Sequence, residues 1–318
     1  MLDRLAMKCH GAVLLLVLAA AIGAQDEQPD GAPVNGRELT PAQIQEQLDR
    51  VKAGILPKVM SEKVAGSEEL KKKWLADWRA IPSPHYLVFS DGPVTCKKYA
   101  ETLEKLYAAV KKELPFVDVD HLLTAFIFAD PEEYYRFAVA ITGYSPAGAR
   151  ATAGHATGAY YATYYESPSA PVVFHEATHQ IVSACLKVPG VGSWFQEGVA
   201  VYFEKKTAGE KPAGVAKSDV KRGDYYPLDE FFDIPVLLSD PKGNGHRNYA
   251  HAGALLDFMI NTKVEPVAGK FGDFLAAARQ GRGFGRGKDV STALIKSVYG
   301  LSVAEFEAAW KKHLGLAK

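Results

Sequence analysis

The chain has 318 residues, with 37 basic and 37 acidic side chains and a formal net charge of zero. That balance gives a polyanion no reason to bind and sets nucleic acid aside as a partner. At 47% hydrophobic and 23% charged, the composition is that of a globular protein long enough to bury a core without disulfides.

The first element is an export signal. Arg4 and Lys8 precede an apolar run from Gly11 to Ile22, and small residues at Ala21, Gly23 and Ala24 suit cleavage near Ala24. The run is shorter than the roughly 18 to 20 apolar residues of a membrane span, so the expectation is a periplasmic or extracellular protein, with an uncleaved anchor as the alternative. Residues 25–39 are polar and carry Pro and Gly, the composition of a linker. Thr40, Pro41 and Gln43 then form a helix start, and Ile44, Leu48, Val51 and Ile55 share one face. Leu70, Trp74 and Trp78, four apart, predict a second helix ending before Pro82. Residues 40–82 thus read as a helical extension, and the main domain as 83–318.

Within that domain, Tyr86–Phe89 and Leu122–Ala129 read as buried strands around a helix marked by Tyr99, Leu103, Leu106, Tyr107 and Val110. Asp130-Pro-Glu-Glu133 reads as a capping box opening a helix through Phe137, and His155–Tyr165 suits a strand or hairpin. A mixed α+β lobe follows from this order. Lys205–Arg247 carries many Gly, Pro and Lys residues and reads as a long irregular stretch. Four helices are predicted after it, at 250–260, 267–278, 290–298 and 303–314, the last behind a Ser302/Glu305 capping box. Gly281–Lys288 alternates Gly with Arg, but alone in a neutral chain it reads as a solvated loop. Cys9 lies in the signal; Cys96 and Cys185 either pair or sit buried as small hydrophobes.

The chemistry is carried by His175-Glu176-Ala177-Thr178-His179. Residues four apart on an α-helix differ by about 40° around its axis, so the two imidazoles can share one metal ion. Glu176, about 100° from His175, can reach a water on that ion without ligating it. The segment Pro171–Leu186 is apolar nearly all round, as a buried helix would be. Burying two imidazoles and a carboxylate there without partners costs several kcal/mol, which a metal ion relieves. Lys187–Gly190 ends this helix, and Ser193–Gln196 reads as a capping box starting the next. Glu197 sits near its start, eighteen residues after His179, where a tight turn can return it to the imidazoles. Two His and one Glu leave a fourth position open, as a catalytic zinc site does.

The pair VVFHEATHQIV and WFQEGVAVYFE resembles the gluzincins, the thermolysin-like zinc metallopeptidases. Trp194-Phe195-x-Glu197-Gly198-x-Ala200-x-Tyr202 is similar to the bacterial peptidase-MA-like families in particular. The resemblance covers roughly His85–Leu314. It implies a zincin-like fold, with a small mixed sheet, the motif helix and a helical C-terminal lobe. It also implies one zinc ion per chain held by His175, His179 and Glu197, Glu176 as general base, and a peptide or protein substrate. Several gluzincins carry an acid four residues after the ligand Glu, to orient a ligand His. Val201 stands there in this chain, leaving Glu204 or a backbone carbonyl for that role. By position, Tyr249 and His251 are the expected oxyanion donors, with His155 and His246 behind them. A strand before the motif helix would line the cleft. The competing readings are a catalytically silent zinc-containing binding protein and a structural envelope protein.

Overall fold

The computed structural model describes residues 39–60, 65–92, 96–164, 166–188, 190–211, 213–240, 242–280 and 287–316. The expected signal, nearly all of the expected linker and most of the Gly/Arg stretch lie outside these residues.

Helix α1 (Pro41–Gly54) starts at the Thr40 capping box. Helix α2 (Glu68–Asp77) is one residue shorter than the Trp spacing predicts: Trp78 leaves it in an extended conformation. Its indole is buried edge-on against Phe126 and Phe128, and this insertion takes the chain out of the helix. The residues before Pro82 then form strand β1 (Arg79–Pro82), not helix. Pro82 is tolerated there because β1 is an edge strand.

Next come β2 (Tyr86–Ser90), α3 (Cys96–Glu113), β3 (Leu123–Phe128), α4 (Pro131–Thr142), α5 (Pro146–Arg150), β4 (Gly154–Ala156) and β5 (Tyr160–Tyr164). Asp130 caps α4 by accepting from Glu132 N–H at 2.8 Å. The five strands run in the order β1-β2-β3-β5-β4. β2, β3 and β5 are parallel, and β1 and β4 are antiparallel at the two edges.

Every residue of β2 and β3 is buried, because both faces of the sheet are covered. Tyr86, Val88, Leu123, Ala125, Ile127 and Tyr161 face the larger core shared with α3 and the motif helix. Alternate residues Leu87, Phe89, Phe126, Phe128, Tyr160 and Ala162 face a second core with Val51, Trp78 and Phe137.

The rest is helical. The motif helix α6 (Pro171–Ile181) runs into a single π-turn at Val182–Leu186, and α7 (Ser193–Thr207) follows. The stretch expected to be irregular holds α8 (Ala213–Arg222), α9 (Leu228–Phe231) and a 3-10 turn at Leu237–Ser239. Then come α10 (Gly245–Asn261), α11 (Phe271–Gln280), α12 (Lys288–Leu294) and α13 (Val303–His313). Helix α13 has the expected Ser302/Glu305 capping box. The molecule is thus α+β, with a mixed sheet followed by a long helical portion.

Candidate metal centre

Helix α6 packs on the sheet and is pinned to it near its C-terminal end. Gln180 donates from Nε2 to the carbonyl of Thr124 on β3 at 3.0 Å, and Thr178 Oγ1 bonds back to the Phe174 carbonyl at 2.7 Å. His175, Glu176 and His179 are all buried. The chain reverses through positive φ at Lys187 (51°), Gly190 (81°) and Gly192 (119°), bringing α7 back alongside α6. The expected Ser193/Gln196 capping box does not form, since the helix cap is Gly192 and Ser193 already lies in the first turn. Ser193 Oγ accepts instead from Leu237 N–H at 3.3 Å, and Gln196 donates to the Val188 carbonyl at 3.5 Å.

The reversal delivers Glu197 to the imidazoles. His175 Nε2 lies 3.2 Å from His179 Nε2 and 3.2 Å from Glu197 Oε2, and His179 Nε2 lies 3.3 Å from the same oxygen. Three ligand atoms therefore form a nearly equilateral triangle in a buried place. This group can hold a metal ion. Two ring nitrogens this close need a cation or a proton between them, because two lone pairs would repel.

Without metal, protons take that part. Burial opposes a charge on His175, but the hydrogen bonds it donates to Glu197 and Glu204 outweigh it and push the imidazole up to about 10. Burial likewise opposes a charged Glu197; the charge of His179 and the bonds from both imidazoles overcome it and hold the carboxyl down at about 2.

Glu204 settles how His175 is oriented. Its Oε2 lies 3.1 Å from His175 Nδ1, so the opposite nitrogen faces Glu197. Glu197 and Glu204 are seven residues apart, two turns of one helix, and share a face. Val201 between them is buried and apolar.

Glu176 is fully buried, and neither carboxylate oxygen has a hydrogen-bond partner. Burial raises its pKa against the pull of His179 and His175. Gly154 on β4 makes room for it: a Cβ there would lie 3.1 Å from Glu176 Cγ and from Val172 Cγ2. Close approach also explains Gly198. A Cβ at that position would meet Leu256 Cδ2 at 2.5 Å and the Ala252 carbonyl at 2.8 Å, so α7 and α10 touch beside Glu197.

Of the residues expected to assist, Tyr249 reaches the group. Its ring stacks on His175 with centroids 5.9 Å apart and planes 13° apart. Burial and the nearby charges of Glu197 and Glu176 push its phenol far above the ordinary value. His251 is not brought there. Two positions further along α10, it points about 200° away and bonds from Nε2 to Asp219 Oδ2 at 3.1 Å. His155, on β4, turns to the second core, where Tyr134 Oη meets its Nδ1 at 3.1 Å and burial drives it down to about 3. His246 is exposed.

Sequence reasoning missed Gly154 and Asp219, and named Gly198 only as part of a motif, without its packing role. A glycine inside the apolar run of α7 was a readable sign of close packing. Asp219 left no sign, being one acid in a stretch without clear periodicity. Cys96 and Cys185 are both free and buried, so they do not pair. No protein-family model matches the chain, and no curated protein matches it. Among the described residues no helix is long and apolar enough to cross a membrane.

Proposed function

We propose that the chain is an exported zinc-dependent peptidase of the gluzincin type, with a zincin-like fold. The observation that carries this reading is the buried triangle of His175, His179 and Glu197 beside an unpartnered, buried Glu176 carboxylate. Bonds of about 2.0–2.1 Å to a tetrahedral ion place ligand atoms about 3.3–3.4 Å apart, close to the edges found. Two imidazoles and one carboxylate suit zinc and leave a coordination position open. Zinc bound there supplies the Lewis acid that makes water a nucleophile near neutral pH.

The remaining work falls to side chains. Glu204 holds His175 by Nδ1, which fixes the tautomer that presents Nε2 to an ion. Glu176, desolvated and raised in pKa, is suited to take a proton from water and pass it to the leaving amine. Tyr249, kept neutral by burial and its acidic neighbours, can donate its phenolic proton to a developing oxyanion without competing as a ligand. The antiparallel edge strand β4 carries the Gly154 that abuts Glu176 and would offer backbone groups to an extended peptide.

The test separates the two glutamates. Glu176→Gln is expected to retain about one zinc per chain and to lose peptide hydrolysis, whereas Glu197→Ala loses the metal. Full peptidase activity in Glu176→Gln, or metal-free wild-type protein purified without chelator, would refute the assignment. Export belongs to the same proposal. The mature protein is expected to begin near Gln25, and recovery of intact Met1 on cytosolic protein would count against it.

A further inference from the structure

The charged cluster behind Tyr249 is not used by the chemistry above. Asp219, on α8, is buried with 2% exposure, yet three cationic or protonatable side chains converge on it. Arg222, one turn along α8, bonds to Oδ1. Arg247 reaches the same oxygen from α10 at 3.1 Å, and His251 meets Oδ2 at 3.1 Å. Asp224 extends the network, accepting from Arg222 Nε at 3.0 Å and Arg247 at 3.3 Å.

The spacing on α10 gives this cluster its meaning. Arg247 and His251 are four apart and share the face toward α8. Tyr249 lies midway between them in sequence and about 200° from each around the axis. On another side, Ala252 and Leu256 are packed against Gly198 of α7, with no space for even a methyl group. Helix α10 is thus gripped on the Gly198 side and on the Asp219 side. Its rotation about its own axis decides where the Tyr249 ring falls relative to His175.

We propose that Asp219 is a positioning residue, holding α10 in the rotation that stacks Tyr249 on His175. Its grip is strong because a buried carboxylate with three partners is costly to open one bond at a time. The turnover part of this inference rests on the peptidase reading; the placement of Tyr249 does not.

The experiment uses the full chain with zinc loaded and 3-fluorotyrosine incorporated at position 249. In Asp219→Asn the fluorine resonance is expected to move or broaden, while a fluorotyrosine at Tyr202, buried on α7, keeps its shift. Zinc content stays the same. Turnover falls about ten- to a hundredfold with KM little changed, as for a displaced catalytic group. The double variant Asp219→Asn/Tyr249→Phe loses no more than Tyr249→Phe alone, because both changes remove one contribution. An unmoved resonance at 249, or losses that multiply in the double variant, would overturn the proposal. Should Asp219→Asn fail to fold, Arg247→Gln carries the same test with Asp219 still bonded to Arg222 and His251. If the wild type hydrolyses no peptide, the peptidase reading fails and the fluorine resonance still decides for or against Asp219.

Discussion

His175 has both ring nitrogens committed, Nε2 to the triangle and Nδ1 to Glu204, and Tyr249 lies over its face. Of these contacts only the one with His179 comes from its own helix. At this scale the sharpest prediction concerns the phenol. Under the peptidase reading, Tyr249→Phe removes one oxyanion donor, worth about 2.7 to 4 kcal/mol, or roughly a hundred- to a thousandfold in turnover. Zinc content and KM are expected to change little, because the ring and its stacking remain. His246→Ala is the control, since His246 is exposed. Equal turnover in Tyr249→Phe and wild type would remove the phenol from the mechanism.

Two helix contacts fix the site at the scale of elements: α6 against α7, which makes the triangle, and α7 against α10, which meets at Gly198. Adding a side chain at Gly198 forces Leu256 or the Ala252 carbonyl to move, and a carbonyl in a helix gives little. Gly198→Val is therefore expected to destabilise the protein by about 1–3 kcal/mol, the usual cost of overpacking. It should also weaken metal binding, because Glu197 is the adjacent residue. A melting temperature and metal affinity both equal to wild type would show that α10 can withdraw at no cost.

The elements differ in how far the sequence betrayed them. The His175/His179 spacing lies within one helix, so it was readable from the periodicity alone, and β2 and β3 announced themselves as continuous apolar runs. Glu204 was visible only as one of two alternatives, because choosing it needs the direction of α7 relative to His175. Helix α8 was missed for a plainer reason: it buries only Ala216 and Asp219, so its apolar stripe is nearly absent. Trp78 misled in the opposite way. Its spacing from Trp74 is helical, but its ring is claimed by Phe126 and Phe128 on β3, and tertiary packing overrode the local pattern.

For the molecule as a whole, the site links folding to pH and to metal. In the metal-free protein, His175 is raised from 6.5 to about 10, so its contribution is complete below the unfolded value and is lost as pH rises through about 10. Glu197 is lowered from 4.5 to about 2, so its contribution is present above 4.5 and is lost as pH falls through about 2. The pair therefore stabilises the metal-free fold best between roughly pH 4.5 and 6.5. Loading a metal requires neutral His175, so binding at pH 7 is expected to release about one proton per ion. Calorimetry in buffers of different ionisation enthalpy measures this directly, and the stabilisation by metal should widen from pH 6 to 8.5. Binding with no proton release would contradict the His175–Glu197 ion pair.

The two edges of the sheet also bear on how this protein behaves in a crowded compartment. An open strand edge invites pairing with another copy, and long, flat edges are where aggregation starts. Here β1 ends in Pro82, which cannot donate a ladder hydrogen bond, and β4 spans only Gly154–Ala156. Such a short edge offers too little length to template a second sheet. Neither edge thus carries much risk of self-assembly, and under the peptidase reading the brevity of β4 would limit how much of a bound peptide it could grip.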